Sequence, residues 1–320
     1  MIFADTAGIG LLLHSYPPEL VDEAVASCGR TEQRRRLLSA RLMVYFVLAM
    51  ALFSPAPYLD VMSRLTRGIR RGGLWGDEQL PSAERLPSKA SIFQARERLG
   101  SAPLRELVRS AVQPIETPDI PHAHRWGEQL MLLQEQTVEL PKGTDLGPRL
   151  KVVGLVEGGS RAIVNVVLGG DGTERALLRS VPPGTLLMVA GRPLTDDLLR
   201  AVAAVRAEVA WLPPAGWRRL EPHRWLPDGS FLTVMGGRQL RVVGSGLVTT
   251  ALDHELAPAA ELLALDSATA GEREVLRGVL LGSDRKKGPL TSKTAEGIRQ
   301  EVYGRLLVHH ALRRMPECLT

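Results

Sequence analysis

Cysteine is scarce in this chain. Only Cys28 and Cys318 occur among its 320 residues, and they stand near opposite ends. No CxxC motif and no cluster of cysteine and histidine is present, so the common structural zinc motifs are excluded. So little cysteine is typical of proteins from a reducing compartment. We therefore expect a cytoplasmic protein without a disulfide framework.

Long hydrophobic runs are missing as well. The most apolar segment, residues 42–53, is too short to cross a bilayer, which takes about 20 apolar residues. Residues 1–5 lack the basic region and the apolar core of a signal peptide. We expect no contact with a membrane.

Motifs of several enzyme classes are also absent. No GxSxG, P-loop or GxGxxG pattern occurs, so nothing indicates a hydrolase triad, a nucleotide site or a dinucleotide site. His309 and His310 are adjacent in a helical segment, where neighbouring side chains point in different directions, so they do not predict a metal pair. We expect no small-molecule substrate.

Positive charge is in slight excess, with 40 lysines and arginines against 35 acidic residues and a net charge of +5. This balance is compatible with a nucleic-acid partner but does not require one. Most of the cations are arginines, which suit bidentate phosphate contacts better than lysines do.

A block of arginines, Arg34, Arg35 and Arg36, directly precedes the apolar segment. The apolar residues predict a helix that is buried on nearly all sides. Cations at the start of a helix oppose its dipole, so helix stability does not explain this block. It either solubilises the segment or contacts an external anion such as a DNA phosphate, and both interpretations stay open.

Helical patterns dominate residues 1–115. One helix is predicted to start after Ser88 and to end at Gly100, with an apolar stripe of Ile92, Ala95 and Leu99. Its polar residues, which we expect to point outward, are Lys89, Gln94, Arg96 and Arg98. This composition is typical of a helix that lies on DNA and equally of an ordinary surface helix.

The pattern changes after a proline-containing segment at residues 116–125, which we interpret as a linker. Residues 126–320 predict an α/β domain. Residues 184–190 form a wholly apolar run, as expected for a buried central strand, and several short strands at about 208–252 predict a β-rich insertion. The predicted fold class is thus α/β, with an all-helical domain at 1–115 followed by a mixed-sheet domain.

Several motifs resemble those of the insertion element 4 family of bacterial DDE transposases. In the N-terminal part they are residues 18–21, the arginine block running into residues 44–49, and residues 87–100, which are the most specific. Residues 226–230 and 292–304 are similar to the insertion and the closing helix of the family. The resemblance extends over residues 17–315.

This resemblance implies a helical DNA-contacting domain, a ribonuclease-H-like catalytic domain and double-stranded DNA as partner. In the family, two aspartates and one glutamate hold two divalent metal ions, which stabilise the attacking and leaving oxygens at a phosphodiester. Mg²⁺ prefers such hard oxygen ligands. The resemblance leaves a homo-oligomer open.

All three acidic positions are replaced in this sequence. Gln134 stands where the first aspartate is expected, and Gly191 stands where the second is expected. Counted back from residues 292–294, the glutamate position falls on or beside Arg273. The catalytic centre is therefore expected to have lost its metal ligands.

Nearby acids form an alternative carboxylate set. They are Glu135, Asp196 or Asp197, and Glu272 or Glu274. A shift of one residue on a strand turns the side chain to the other face, and on a helix it rotates the side chain by about 100°. We expect that these acids do not rebuild a two-metal site. No cofactor is expected, and two Mg²⁺ ions are expected only if this set is active.

Three hypotheses follow. The first is a transposase-derived DNA-binding protein with an inactive centre, the second an active transposase that uses the shifted carboxylates, and the third a protein-interaction scaffold whose apolar N-terminal helices form an oligomer interface. For the first we nominate as DNA contacts Arg34, Arg35, Arg36, Lys89, Gln94, Arg96, Arg98, Arg285, Lys286 and Lys287. Trp217 and Trp225, beside basic residues, either lie near DNA or pack the insertion.

Overall fold

A computed structural model gives the fold of the chain. The structure describes residues 2–32, 34, 36–73, 75–76, 79–82, 85–115, 124–125, 128–169, 174–214, 216–217, 220–281 and 290–315. The chain forms two compact units. The first consists of Met1–Gln113, Val138–Leu150 and Val279–Thr320, and the second of Pro114–Thr137 and Lys151–Gly278. The boundaries of the helical domain, linker and sheet domain that we drew from the sequence stay a prediction.

Helices occupy both units. In chain order they are α1 (Ile2–Ser15), α2 (Pro18–Ser27), α3 (Ala40–Leu52), α4 (Tyr58–Gly72), α5 (Lys89–Leu99), α6 (Ala102–Ala111), α7 (Glu174–Leu178), α8 (Asp196–Ala204), α9 (Ala259–Ala268), α10 (Val275–Leu281) and α11 (Ala295–Arg314). The first unit contains α1 to α6 and α11, and α11 packs on α3. No described helix is long and apolar enough to cross a membrane.

Helix α3 is the centre of the first unit. It begins where the side chain of Ser39 accepts a hydrogen bond of 3.2 Å from the backbone N–H of Leu42. Every residue from Leu42 to Ala49 is buried, as the apolar run predicts. On the facing helix α11, a Cβ atom at Gly304 would lie only 3.2 Å from the carbonyl oxygen of Val47. Glycine there allows the two helix backbones to approach closely.

Helices α1 and α4 meet at another close contact, which gives a first testable prediction. A Cβ atom at Gly68 would lie 2.7 Å from the Cβ atom of Ile9, and neither atom can rotate away. We expect Gly68→Ala to lower the free energy of unfolding by about 1–3 kcal/mol, as overpacking does.

The matched control is Gly72→Ala at the end of the same helix, where a Cβ atom would lie 3.6 Å from Leu13 Cδ1, an ordinary contact. This change is expected to be neutral or to stabilise by up to about 1 kcal/mol through helix propensity. Urea denaturation measures both variants. Equal effects of the two substitutions would contradict the packing of α1 on α4.

The described strands form one mixed sheet. They are β1 (His124–Arg125), β2 (Glu128–Glu139), β3 (Arg149–Glu157), β4 (Ile163–Leu168), β5 (Thr185–Ala190), β6 (Glu208–Leu212), β7 (Arg224–Trp225), β8 (Phe231–Met235), β9 (Arg238–Val243) and β10 (Leu247–Thr249). Their order is β4-β3-β2-β5-β6-β10-β9-β8-β7, with β1 paired to β2.

The strand directions divide the sheet into two parts. β3 and β4 pair antiparallel, whereas β5 pairs parallel with both β2 and β6. The remaining strands, β10 to β7, add an antiparallel extension beside β6. The predicted fold class, a helical region followed by a mixed-sheet α/β domain with a β-rich insertion, is confirmed. β6 lies within the range predicted for the insertion, but it belongs to the parallel part.

The parallel register brings three strand ends to one edge. Leu133 of β2 is opposite Val189 of β5, and Ala190 of β5 is opposite Leu212 of β6. One face of these strands packs in an apolar core with residues of α7 and α8. The carboxyl ends of parallel strands are where α/β folds place their ligands, so this edge is where a site is expected.

Candidate functional site

Gln134, predicted at the first of the three replaced acidic positions, lies near the end of the parallel part of β2. Its side chain is 8% exposed. The amide nitrogen donates to the carbonyl oxygen of Glu272, and the amide oxygen accepts a hydrogen bond of 3.0 Å from the N–H of Leu276. Both ends of the amide are therefore engaged in joining the sheet to the segment before α10.

Gly191 follows β5 directly and occupies the second position. Its φ is +69°, in the left-handed region that favours glycine. Its N–H donates to the carbonyl oxygen of Leu212 at 3.2 Å, which extends the pairing of β5 with β6 by one residue. The chain thus makes a tight turn where the resemblance predicts the second aspartate, and glycine offers no side chain there.

Arg273, on or beside which the third position is predicted, lies in the short 3₁₀ turn Glu272–Glu274 that precedes α10. Its guanidinium donates to Asp266 of α9 twice, at 2.5 Å to the carboxylate and at 2.8 Å to the carbonyl oxygen. Arg273, Asp266 and Gly191 line one cavity of about 470 Å³ at the edge where the parallel strands end. The structure therefore brings two of the three predicted positions, Gly191 and Arg273, to one cavity.

A pair of divalent metal ions does not fit these residues. An amide that is already hydrogen-bonded, a glycine and a guanidinium replace three carboxylates, and the guanidinium repels cations. Among the residues that the structure describes, no three histidine, cysteine or acidic side chains are grouped so that they could hold a metal ion. Hard cations such as Mg²⁺ need several oxygen ligands, and this donor set does not supply them.

The alternative acids are engaged in separate contacts. Glu135 lies 2.9 Å from Lys151 Nζ and 3.6 Å from Arg192 Nη1. Asp196 begins α8 and packs against the backbone of Gly236. The neighbouring acids each pair with an arginine, and these pairs are Asp197 with Arg200, Glu272 with Arg161 at 3.2 Å, and Glu274 with Arg277 at 3.1 Å.

The residues nominated for DNA contact are in different environments. Arg34, Lys89 and Gln94 are exposed. Arg36 and Arg98 share one acid, with 3.7 Å and 3.4 Å to Glu32 Oε1, and Arg98 also donates to the carbonyl oxygen of Leu38 at 3.0 Å. Four nominated residues lie outside the described part of the chain, namely Arg35, Arg285, Lys286 and Lys287.

Arg96 corrects our prediction for α5. We expected it to point outward, but its side chain is only 2% exposed. The guanidinium donates to Gln300 Oε1 at 3.0 Å, to Ser292 Oγ at 3.3 Å and to the hydroxyl of Tyr58. A side chain so enclosed does not lie on the outward face of α5. The spacing could have shown this, because Arg96 follows Ile92 by four residues and therefore shares its buried face.

A buried polar network around Arg96 escaped the sequence reasoning. Gln300 donates to the carbonyl oxygens of Arg96 and Gly100, at 2.8 Å each. Glu301 accepts hydrogen bonds from the N–H groups of Thr291 and Ser292 at 2.8 and 2.9 Å. The two motifs at residues 87–100 and 292–304, quoted for the family resemblance, thus bind each other inside the first unit.

Tyr58 completes this network. Burial raises the pKa of its hydroxyl, and the positive charge of Arg96 offsets only part of that effect. The phenol therefore stays neutral at physiological pH and accepts a hydrogen bond from the guanidinium. Arg96 also lies over the ring of Tyr58, 5.5 Å from its centre, so the contact is both polar and aromatic.

The tryptophans of the insertion pack on other aromatic rings. Trp217 makes an edge contact of 4.8 Å with Trp211, and Trp225 makes one of 5.1 Å with Phe231. Both tryptophans thus make the aromatic contacts that the packing interpretation expects.

His310 of α11 is buried, and its Nε2 lies 3.1 Å from the carbonyl oxygen of Gln113.

Comparison with known proteins gives matches to transposases. The family model described as the N-terminal region of the insertion element 4 transposase matches residues 6–109. Transposase InsG for insertion sequence element IS4, from Escherichia coli strain K12, is 24% identical over 342 residues, which cover 92% of this chain and 74% of the relative. A cryo-EM structure of a piggyBac transposase synaptic complex with hairpin DNA covers 96% of this chain and 75% of that chain, with 11% identity and a TM-score of 0.44, a similarity too low to define the fold. The family-model match and the similarity to InsG along most of the chain support the assignment of this protein to the insertion element 4 family of transposases.

Proposed function

We propose that this protein is a family member that binds double-stranded DNA but no longer cleaves it. The single observation that carries the loss of cleavage is the environment of Arg273. A cation stands at the glutamate position and is held there by Asp266, in the same cavity as the side-chain-free Gly191. A centre that must concentrate divalent cations cannot be built around a guanidinium and a glycine.

Binding of duplex DNA is supported by the similarity to a transposase and by the charge of the chain. The relative InsG is named as a transposase of an insertion sequence element. This chain carries a net charge of +5, and Arg34, Lys89 and Gln94 are exposed in its first unit. Arginine and lysine side chains that neutralise phosphates release counterions from the duplex and so drive binding without sequence preference. Self-association stays a prediction.

Cleavage by the alternative acids is the competing function, and its test is a second prediction. Purified full-length protein is incubated with supercoiled plasmid carrying the DNA that flanks its own coding region, in Mg²⁺ or Mn²⁺, with InsG on its own element as positive control. We expect no nicked product above background, because Glu135 and Glu272 are bound to basic side chains.

The matched variants are Glu135→Ala and Glu272→Ala, with unchanged circular dichroism as the check on folding. They are expected to leave the background unchanged. Metal-dependent nicking by the unmodified protein that either substitution abolishes would contradict the loss of the centre and establish the active-transposase hypothesis. Absence of duplex binding at low salt would instead favour the scaffold hypothesis.

A further inference from the structure

The second half of α4 carries an exposed arginine face. Arg67, Arg70 and Arg71 are all exposed, and the helix positions them three and four residues apart. Side chains at this spacing are neighbours, with Cβ atoms about 5–6 Å apart. The buried residues Leu65 and Ile69 lie on the opposite side of the helix. The three guanidinium groups therefore project from one outward surface.

The arginines of this face differ from the other basic residues in having only neutral partners. Arg67 donates to the hydroxyl of Ser63 at 3.0 Å, and Arg70 donates to the carbonyl oxygen of Pro81 at 2.6 Å. Both acceptors are neutral, so they orient the guanidinium without cancelling its charge. Within the described residues, no carboxylate lies within ion-pair distance of Arg67, Arg70 or Arg71.

Arg64, about one turn earlier on the same helix, does pair with carboxylates. Arg64 lies 2.9 Å from the carboxylate of Asp60 and 3.5 Å from that of Asp5. Its guanidinium is also 5.3 Å from the ring centre of Phe53. The charge of Arg64 is thus neutralised by carboxylates within the protein, whereas no described carboxylate pairs with the three arginines that follow it.

Three of the cations nominated from the sequence, Arg36, Arg96 and Arg98, are less available than this face. Arg36 and Arg98 share Glu32, and Arg96 is buried. Composition pointed to α5 as the DNA-facing helix, yet two of its four polar candidates have partners inside the unit. Arg67, Arg70 and Arg71 of α4 are exposed and have no carboxylate partner among the residues that the structure describes.

Helix energetics do not account for all three arginines. Cations in the last turn favour the helix dipole by about 0.3–1 kcal/mol each, which covers Arg70 and Arg71. Arg67 lies about one turn earlier, where that benefit falls off. Like charges at this spacing cost about 0.2–0.5 kcal/mol for each pair, and Arg67 forms such a pair with both neighbours. An external anion that bridges the three side chains relieves this repulsion.

We propose that Arg67, Arg70 and Arg71 form a phosphate-binding surface for the backbone of duplex DNA. This inference rests on the proposed function and assigns the main contact of the first unit to α4 rather than to α5. A guanidinium matches the oxygens of a phosphate in a bidentate manner, and such contacts position a protein on DNA without reading its sequence.

The test is the salt dependence of binding to a short duplex of arbitrary sequence, measured by fluorescence anisotropy with the full chain between about 50 and 200 mM salt. The triple variant Arg67→Gln, Arg70→Gln, Arg71→Gln removes three cations. The slope of log K against log salt is expected to become shallower by about 2.7, since each phosphate contact contributes about 0.9.

The control variant carries the same loss of charge elsewhere in the first unit. Arg105, Arg109 and Arg149 are exposed, Arg109 pairs with Glu106 and Arg149 with Glu139. Replacing these three with glutamine is expected to change the slope by less than about 1. Circular dichroism verifies that both variants fold.

The outcomes separate this inference from the function on which it rests. A steep slope for the unmodified protein that the α4 variant leaves intact overturns the α4 surface while duplex binding stands. Equal reductions in the α4 variant and the control also overturn it, because net charge alone then explains the effect. No binding by the unmodified protein at low salt overturns both.

Discussion

Replacing Arg96 with alanine is expected to lower the free energy of unfolding by about 3–5 kcal/mol, because it breaks a buried polar network and removes a large buried side chain. The substitution leaves Gln300, Ser292 and the hydroxyl of Tyr58 without the donor that now binds them. Each buried polar group left without a partner costs about 1–3 kcal/mol, and the lost side chain also leaves a cavity. Urea denaturation of the full chain measures the effect.

Arg98→Ala on the same helix is the matched control. Arg98 is largely exposed, and its ion pair with Glu32 at 3.4 Å is of the surface type, worth about 0–1 kcal/mol. A contrary pattern is easy to recognise. If Arg96→Ala folds with unchanged stability but loses duplex binding, Arg96 faces DNA as the composition of α5 first suggested, and the buried network is wrong.

Replacing Asp228 with alanine is expected to have an effect of similar size, about 3–5 kcal/mol, in the second unit. Asp228 pairs with Arg241, whose side chain is 0% exposed. Arg241 also donates to Ser230 Oγ at 2.8 Å and to the carbonyl oxygen of Ala257 at 2.6 Å. Without Asp228 the buried guanidinium loses its counterion, and an uncompensated buried charge is costly.

The same pair gives stability a pH dependence. Burial raises the pKa of Asp228, but hydrogen bonds from Ser230 and the charge of Arg241 lower it by more, so the pKa lies below its ordinary value. A carboxyl group with a depressed folded-state pKa contributes stability that is complete above its unfolded value of about 4 and is lost as pH falls through the folded value. Asp228→Asn is expected to remove this dependence.

The control is Asp197→Asn, which alters the exposed pair of Asp197 with Arg200 at the start of α8. It is expected to change the free energy of unfolding by less than about 1 kcal/mol at any pH. Denaturation curves at a series of pH values compare the variants with the unmodified protein. A variant Asp228→Asn that keeps the full acid sensitivity would show that other carboxyl groups cause it.

Local structure can be predicted from the sequence where the residues of a segment by themselves determine whether it is buried. The run from Leu42 to Ala49 offers no polar face, so a helix formed there has to be buried, and α3 is. The short strands at about 208–252 were predicted from β-rich runs, and the closing helix α11 from its helical pattern. Helix α1 went unpredicted, because residues 2–15 mix small and apolar side chains without a clear stripe.

Side-chain contacts between residues that are far apart in the sequence could not be predicted. Arg96 is buried because Gln300, 204 residues away, returns to meet it. The bond of Gln134 to the backbone of Leu276 likewise joins positions 142 residues apart. The family resemblance predicts Gln134, Gly191 and Arg273 at the replaced positions, but only the fold shows that Asp266 binds Arg273. A specific motif also does not reveal whether its residues contact DNA or each other. The motifs at residues 87–100 and 292–304 contact each other, and Thr294 Oγ1 donates to Glu97 at 2.9 Å.

The most direct test of the central claim counts metal ions on the DNA-bound protein. Mn²⁺ is titrated into the protein–duplex complex and into duplex alone, and the free ion is followed by electron paramagnetic resonance. We expect at least as much free Mn²⁺ with the complex as with duplex alone, because Gln134, Gly191 and Arg273 supply no set of oxygen ligands and bound protein displaces ions from the phosphates. Uptake of about two further ions per chain, lost in Glu135→Ala, would contradict it, since a two-metal centre would then exist.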